Sequence, residues 1–279
     1  VVRPDFDLRR WQRHIDRRTL VGLNPVATTR VPAKTSSMVA RFWLLTLLLL
    51  LTTSPVFAQT EREAGLELVL LADASGSIDA EELAFQRQGY AQAITDPSVI
   101  SAIQSSIYGN IALTYVEWAA DTAVVVDWMI IDDAASAQAF ADALAGPPRQ
   151  AFGSNAIGRA LLNAKALILQ NDIYAPRAVI DFSGDSIRNS SGPAIADARA
   201  LVLAAGMTIN ALPILRPEDG RRAGLNLEEE YANRIIGGPG AFMVTAEDRA
   251  SFAQTVRRKL ILEISGTQPS GPRQASWRE

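Results

Sequence analysis

Asp73-Ala74-Ser75-Gly76-Ser77 sets one carboxylate and two hydroxyls on alternate residues. All three are hard oxygen donors, with no nitrogen or sulfur among them. Such a set suits Mg²⁺, Mn²⁺ or Ca²⁺. One carboxylate neutralises only half of a divalent charge. The motif gains weight if later loops supply further oxygens.

The residues on either side of this motif say how it is held. Leu66-Glu67-Leu68-Val69-Leu70-Leu71-Ala72 is an almost uninterrupted apolar run, as expected of a strand buried on both faces. A helix follows from about Glu81 to Ile103, with Asp79 as N-cap and Glu82 at its third position. The donors thus sit where a strand ends and a helix begins, the edge at which open α/β sheets bind ligands. Downstream, strands are predicted at Asn110–Trp118, Thr122–Trp128, Ala178–Phe182, Thr208–Pro213 and Ala241–Val244. Helices are predicted at Asp133–Leu144, Ser154–Gln170, Pro193–Ala205, Glu228–Ile236 and Asp248–Ile264. Ala119-Ala120-Asp121 is too short for a crossover helix, so the second and third strands form an antiparallel hairpin. The expected fold class is α/β: a doubly wound, mostly parallel six-stranded sheet with one antiparallel edge strand, covered on both faces.

Asp-x-Ser-x-Ser after a buried first strand resembles the metal-ion-dependent adhesion site of von Willebrand factor A domains. The hairpin at strands two and three is also a feature of that family. The resemblance implies a sheet order of 3-2-1-4-5-6, a hydroxyl from a second loop and an Asp from a third. Phe152-Gly153-Ser154-Asn155-Ala156-Ile157-Gly158 resembles the family's Gly-Thr-x-x-x-Gly, with Ser154 in place of Thr. The hydroxyl is kept, but the methyl that restricts its rotamer is lost. Ser154 is equally suited to be the N-cap of the helix that follows. Asp185, in Ile180-Asp181-Phe182-Ser183-Gly184-Asp185-Ser186, resembles the third-loop Asp. Asp181 competes for that role, but it lies inside the strand, some 13 Å short of the tip at about 3.3 Å per residue. A donor such as an Arg or Trp is expected beside Asp181, and Glu117 on the second strand poses the same question. The implied metal set is Asp73, Ser75, Ser77, Ser154 and Asp185 around Mg²⁺ (or Mn²⁺ or Ca²⁺). Two carboxylates leave the ion electrophilic, ready for an Asp or Glu of a protein partner. The segments Val179–Asp185, Thr208–Ile214 and Ile236–Phe242 narrow the resemblance to an uncharacterised bacterial group of exported A-like domains, a domain of unknown function, over residues 65–264.

Composition bounds the alternatives. Residues 1–58 hold nine Arg/Lys and three Asp, a net +6, which leaves −9 on residues 59–279 out of a total of −3. So acidic a body argues against nucleic acid as a partner. There is no cysteine, hence no disulfide, thiolate metal site or thiol nucleophile. The one histidine, His14, precedes the expected mature chain, which excludes a Ser-His-Asp hydrolase. Ser75 stands where aspartyl-phosphate enzymes need a second Asp, and Gly153–Gly158 lacks the Lys of a phosphate-binding loop. The protein is therefore read as no enzyme, with a metal-assisted hydrolase and a metal-free interaction scaffold as the alternatives.

Met38–Ala58 has a basic start, an apolar run at Phe42–Leu51 and a small final residue, the pattern of a signal peptide. Residues 1–37 are expected to be an untranslated or disordered extension, 65–264 the A-like domain and 265–279 a disordered tail. The expected location is periplasmic or secreted, with no membrane contact after signal cleavage. Loops Ser186–Gly192 and Leu215–Leu227 flank the expected ion. There, Arg188, Arg216, Arg221 and Arg222 can either contact an acidic partner or form a solvated rim.

Overall fold

A computed structural model describes residues 62–215, 226–246 and 251–267. The extension, the signal segment, Arg216, Arg221, Arg222 and most of the expected tail lie outside these residues. The central strand β1, Glu67–Asp73, is buried at every position. It pairs in parallel with β2, Ile111–Trp118, on one side and with β4, Ala178–Gly184, on the other. β3, Thr122–Ile131, returns antiparallel on β2, and β5, Thr208–Pro213, extends β4 in parallel. The order is β3-β2-β1-β4-β5. It agrees with the expected one through five strands.

Burial on both faces explains the unbroken apolar run of β1. Strand side chains alternate between faces. Leu68 and Leu70 join a core with α1 (Ala80–Ile94), α2 (Pro97–Gln104), α3 (Ala134–Ala145) and α7 (Phe252–Ser265). Val69 and Leu71 join a second core with α4 (Ile157–Gln170), α5 (Ile195–Ala204) and Tyr231 of α6 (Leu227–Arg234). A two-residue parallel pairing of Arg62–Glu63 with Ile173–Tyr174 was not anticipated.

Three expectations are corrected. The sixth strand at Ala241–Val244 is reduced to isolated bridges of Met243 with Ala211 and of Ala246 with Ile214. Pro213 lies between those bridges. Its carbonyl accepts from the Ala246 N–H at 2.9 Å, but it has no N–H to return, so the ladder breaks there. The long helix expected over Glu81–Ile103 is two helices. Asp96 caps the second through the Ser98 N–H, and Pro97 occupies its first turn. Ser154 does not cap α4, which starts at Ile157 after Ala156 with no side-chain cap.

Candidate metal centre

β1 delivers Asp73 to the sheet edge with no exposed surface. Its Oδ1 accepts from the Ser75 N–H at 2.8 Å, which folds the chain back over the carboxylate. Its Oδ2 is buried and has no hydrogen-bond partner. Burial, then the negative charge of Asp185, pushes the Asp73 carboxyl up to about 7, against the hydrogen bonds from Ser75. The fully buried Ser75 Oγ lies 3.2 Å from Ser77 Oγ, and Ser77 Oγ donates to Asp185 Oδ1 at 3.2 Å. Four of the five expected residues therefore form one chain of contacts, joining loops 108 residues apart.

Ser154 sits on the adjacent loop but outside that chain. Gly76 N–H donates to the Gly153 carbonyl at 2.9 Å, which places the second loop against the first. No hydrogen bond links the Ser154 hydroxyl to the other four residues among those described, and its side chain is exposed. Among the described residues no three His, Cys, Asp or Glu side chains converge. A cation held here must therefore rely on hydroxyls as well as on two carboxylates. An unpartnered buried carboxylate oxygen beside serine hydroxyls is chemically suited to a hard divalent ion.

Several supports were not foreseen from sequence. A Cβ on Gly184 would come within 3.0 Å of Asp73 Oδ2, Trp118 Cζ2 and Tyr231 Oη, so a glycine is needed for the third loop to approach the carboxylate. Trp118 Nε1 donates to the Ser183 carbonyl at 3.0 Å and Tyr231 Oη to the Ser186 carbonyl at 3.2 Å, fixing that loop's backbone on both sides of Asp185. Arg149 donates to the carbonyls of Ala74 (3.1 Å), Ile78 (2.5 Å) and Asp79 (3.0 Å), bracing the first loop from behind. Asp79 caps α1 in a capping box with Glu82, as expected, so the positive end of that helix lies close to Ser77.

Two further buried acids, Glu117 and Asp181, find cations from helices. Glu117 accepts from Arg87 Nε at 2.8 Å and Nη2 at 2.5 Å, and from the Gln150 N–H at 3.1 Å. Asp181 pairs with Lys259 at 2.6 Å rather than with an Arg or Trp. Lys259 also bonds Glu263, which takes a further hydrogen bond from Asn210 at 3.1 Å. Burial and the Asp181 charge push the Glu263 carboxyl up to about 7.

Residues 63–268 match the family described as "Protein of unknown function (DUF1194)". The chain belongs to that family. No curated protein matches its sequence. The pilus adhesin SpaC from Lactobacillus rhamnosus GG superposes on the DUF1194 chain with a TM-score of 0.51 at 15% identity, covering 73% of this chain and 31% of that one. Proximal thread matrix protein 1 from the mussel byssus, in a structure with a zinc-occupied MIDAS motif, gives 0.51 at 16% identity over 72% and 46%. A von Willebrand factor type A structure from Catenulispora acidiphila gives 0.48 at 18% identity over 72% and 43%. The DUF1194 chain thus spans less than half the length of these proteins. At such identities the likeness concerns the fold, which is von Willebrand A-like.

Proposed function

We propose that this DUF1194 protein is an exported, adhesion-type module that binds a protein partner through a divalent cation. Asp73, Ser75, Ser77, Ser154 and Asp185 are its proposed ligands, directly or through water. The observation that carries this reading is Asp73: a buried carboxylate with one oxygen unpartnered, tied through two serines to a second carboxylate. When bound, Mg²⁺ (or Mn²⁺ or Ca²⁺) supplies an electrophile with open positions for an Asp or Glu oxygen from outside. The chain's own part is positional. Arg149 braces the first loop, Trp118 and Tyr231 hold the third, and the start of α1 favours an incoming anion. Adhesin and byssal-matrix relatives of the same fold support a binding role over catalysis. Export to the periplasm or beyond rests on the apolar segment at Phe42–Leu51, which lies outside the described residues.

A metal-free interaction scaffold is the second reading, favoured by the separation of Ser154 from the other four residues. Isothermal calorimetry decides between them. Saturable micromolar-to-millimolar Mg²⁺ or Mn²⁺ binding, lost in Asp73→Ala, supports the metal-dependent module. Absence of binding refutes it and leaves the scaffold.

A further inference from the structure

Away from the candidate metal centre, the contact between β4 and α7 has a chemistry of its own. Lys259 Nζ of α7 lies 2.6 Å from Asp181 Oδ1 of β4, and both side chains are 1% exposed. Lys259 also touches the carboxylate of Glu263, one turn along the same helix and fully buried. An amine, a carboxylate and a second acid thus meet where solvent does not reach. One cation faces two acids, so their charges do not cancel.

The Lys259–Asp181 contact is close, yet it is not an ordinary hydrogen-bonded ion pair. Asp181 Oδ1 accepts no hydrogen bond although Nζ is 2.6 Å away, so the two groups meet outside the bonding direction. Glu263 Oε2 is buried and also has no partner, which leaves it free to carry a proton. Burial, then the Asp181 charge, raises the Glu263 carboxyl above its ordinary range, where an acid both gives and takes protons near neutrality. The Phe242 ring, 5.4 Å from Nζ, lies against the amine. Asn210, opposite Asp181 on β5, has both ends of its amide engaged: Nδ2 donates to Glu263 at 3.1 Å, and Oδ1 accepts from the Phe242 N–H at 3.0 Å. Asn210 therefore supports the cluster and leaves Asp181 to face the amine.

We propose that Lys259 and Asp181 condense to an isopeptide bond joining α7 to β4, with Glu263 relaying the proton. One Nζ proton passes to the Asp181 carboxylate. The neutral amine attacks Asp181 Cγ, and the Nζ–Cγ bond forms. Glu263 takes a second Nζ proton and gives one to the departing oxygen. The Cγ–O bond breaks, that oxygen leaves as water, and the amide keeps the third proton. The product replaces two desolvated charges with one neutral amide, which relieves the cost of holding them in the interior. Fixed proximity supplies the drive, since well-placed groups react as if at about 10⁵–10⁸ M. Burial pulls the Lys259 ammonium down, but the two carboxylates more than offset it, so the free amine forms seldom and the bond forms slowly, once per chain. The chain has no cysteine, so no disulfide could make such a link. The inference is independent of the metal reading, because none of the proposed ligands takes part.

Intact-mass spectrometry tests this on the purified protein, kept folded at neutral pH for a prolonged period and then denatured. The chain is expected to weigh one water less than its sequence. Trypsin is expected to release Ala178–Arg188 joined to Lys259–Arg273 as a single branched peptide. Lys259→Arg keeps the positive charge but offers no free amine, and Glu263→Gln removes the relay. Both variants, with an unchanged circular dichroism spectrum, should show the full sequence mass. Full sequence mass in the parent protein overturns the inference, whatever the variants do. A lost water without the branched peptide, or one still lost in Lys259→Arg, also overturns it, as does loss of one ammonia, which would put the bond on Asn210. A water still lost in Glu263→Gln overturns the relay.

Discussion

Asp73→Asn should make the metal-free protein more stable while abolishing its response to metal. The Asp73 carboxyl is raised from 3.8 to about 7, chiefly by burial. At about 1.4 kcal/mol per pKa unit, keeping it ionised in the fold costs about 4 kcal/mol above pH 7. The native carboxyl lies above its unfolded value, so the fold binds more protons between about pH 4 and 7. Stability of the metal-free protein therefore falls as pH rises through that window, and at pH 8 the cost is complete. Asn keeps an oxygen for the Ser75 N–H, 2.8 Å from the present acceptor. It also brings a buried NH₂ group into the space of Oδ2, at about 1–3 kcal/mol if unpaired. The net gain for Asp73→Asn in chelator is about 1–3 kcal/mol, which raises the melting temperature by roughly 2–12 °C for a domain of this size. Mg²⁺ at 100 times its Kd should stabilise the unmutated protein by about 2.7 kcal/mol and leave the variant unmoved. Differential scanning fluorimetry at pH 8, in chelator and in Mg²⁺, reads all four values. A variant that melts below the parent in chelator, or that shifts with Mg²⁺ as the parent does, refutes the reasoning.

Arg149→Ala removes three hydrogen bonds behind the first loop and should weaken Mg²⁺ binding by about 10–100-fold in calorimetry, with Arg149→Lys intermediate. Ser154→Thr restores the methyl that restricts the hydroxyl rotamer and should strengthen binding about two- to fivefold; an unchanged affinity would exclude Ser154 from the coordination. Arg87→Ala leaves the buried Glu117 charge without its cation and should cost about 3–5 kcal/mol in urea melts, with metal affinity lowered only through Gln150. Glu263→Gln should flatten the pH dependence of stability. Burial and the Asp181 charge raise the native Glu263 carboxyl above its unfolded value of 4.5, so the parent loses stability as pH rises from about 4.5 to 8. The variant keeps Lys259 paired with Asp181 and should lose less, as urea melts at pH 5 and 8 would reveal.

The fold was legible where one local rule decided the outcome. β1 had to be central because no polar face interrupts it, and a three-residue connection forced β2 and β3 into a hairpin. Elsewhere a tertiary or single-residue effect overrides the pattern. Asp96-Pro97 is a helix-start signal inside a stretch of otherwise helical pattern, and it makes two helices of the one expected there. Pro213 closes a run that reads as a good strand, and its missing N–H affects the neighbouring ladder rather than its own. Ser154 had the right residue type to cap a helix, yet the Gly153 turn and the Gly76 contact delay the helix until Ile157.

The candidate site was legible in its local half. The alternation of Asp73, Ser75 and Ser77 is visible in five residues, whereas Arg149, Trp118, Gly184 and Tyr231 act through carbonyls and close approaches that no spacing reveals. A signal for the buried pairs did exist. Leu83, Arg87, Tyr90 and Ile94 lie on one stripe of α1, and Phe252, Val256, Lys259, Glu263 and Ile264 on one stripe of α7. A cation on an apolar stripe must meet an acid inside, and Glu117 and Asp181 were the acids waiting in strands. That pairing sharpens the case for Asp73. Glu117, Asp181 and Asp73 are all buried in the same sheet, and all would be costly there as naked anions. The first two have Arg87 and Lys259 against them. Asp73 has no ion pair among the described residues; it has serine hydroxyls and a second carboxylate instead. Glu67, buried at the other end of β1, lacks a cation among the described residues too but takes a hydrogen bond from Asn171 on its carboxylate; Asp73 has only hydroxyls and a second carboxylate beside it at the sheet edge, which supports the proposal that its charge is met by a cation from outside.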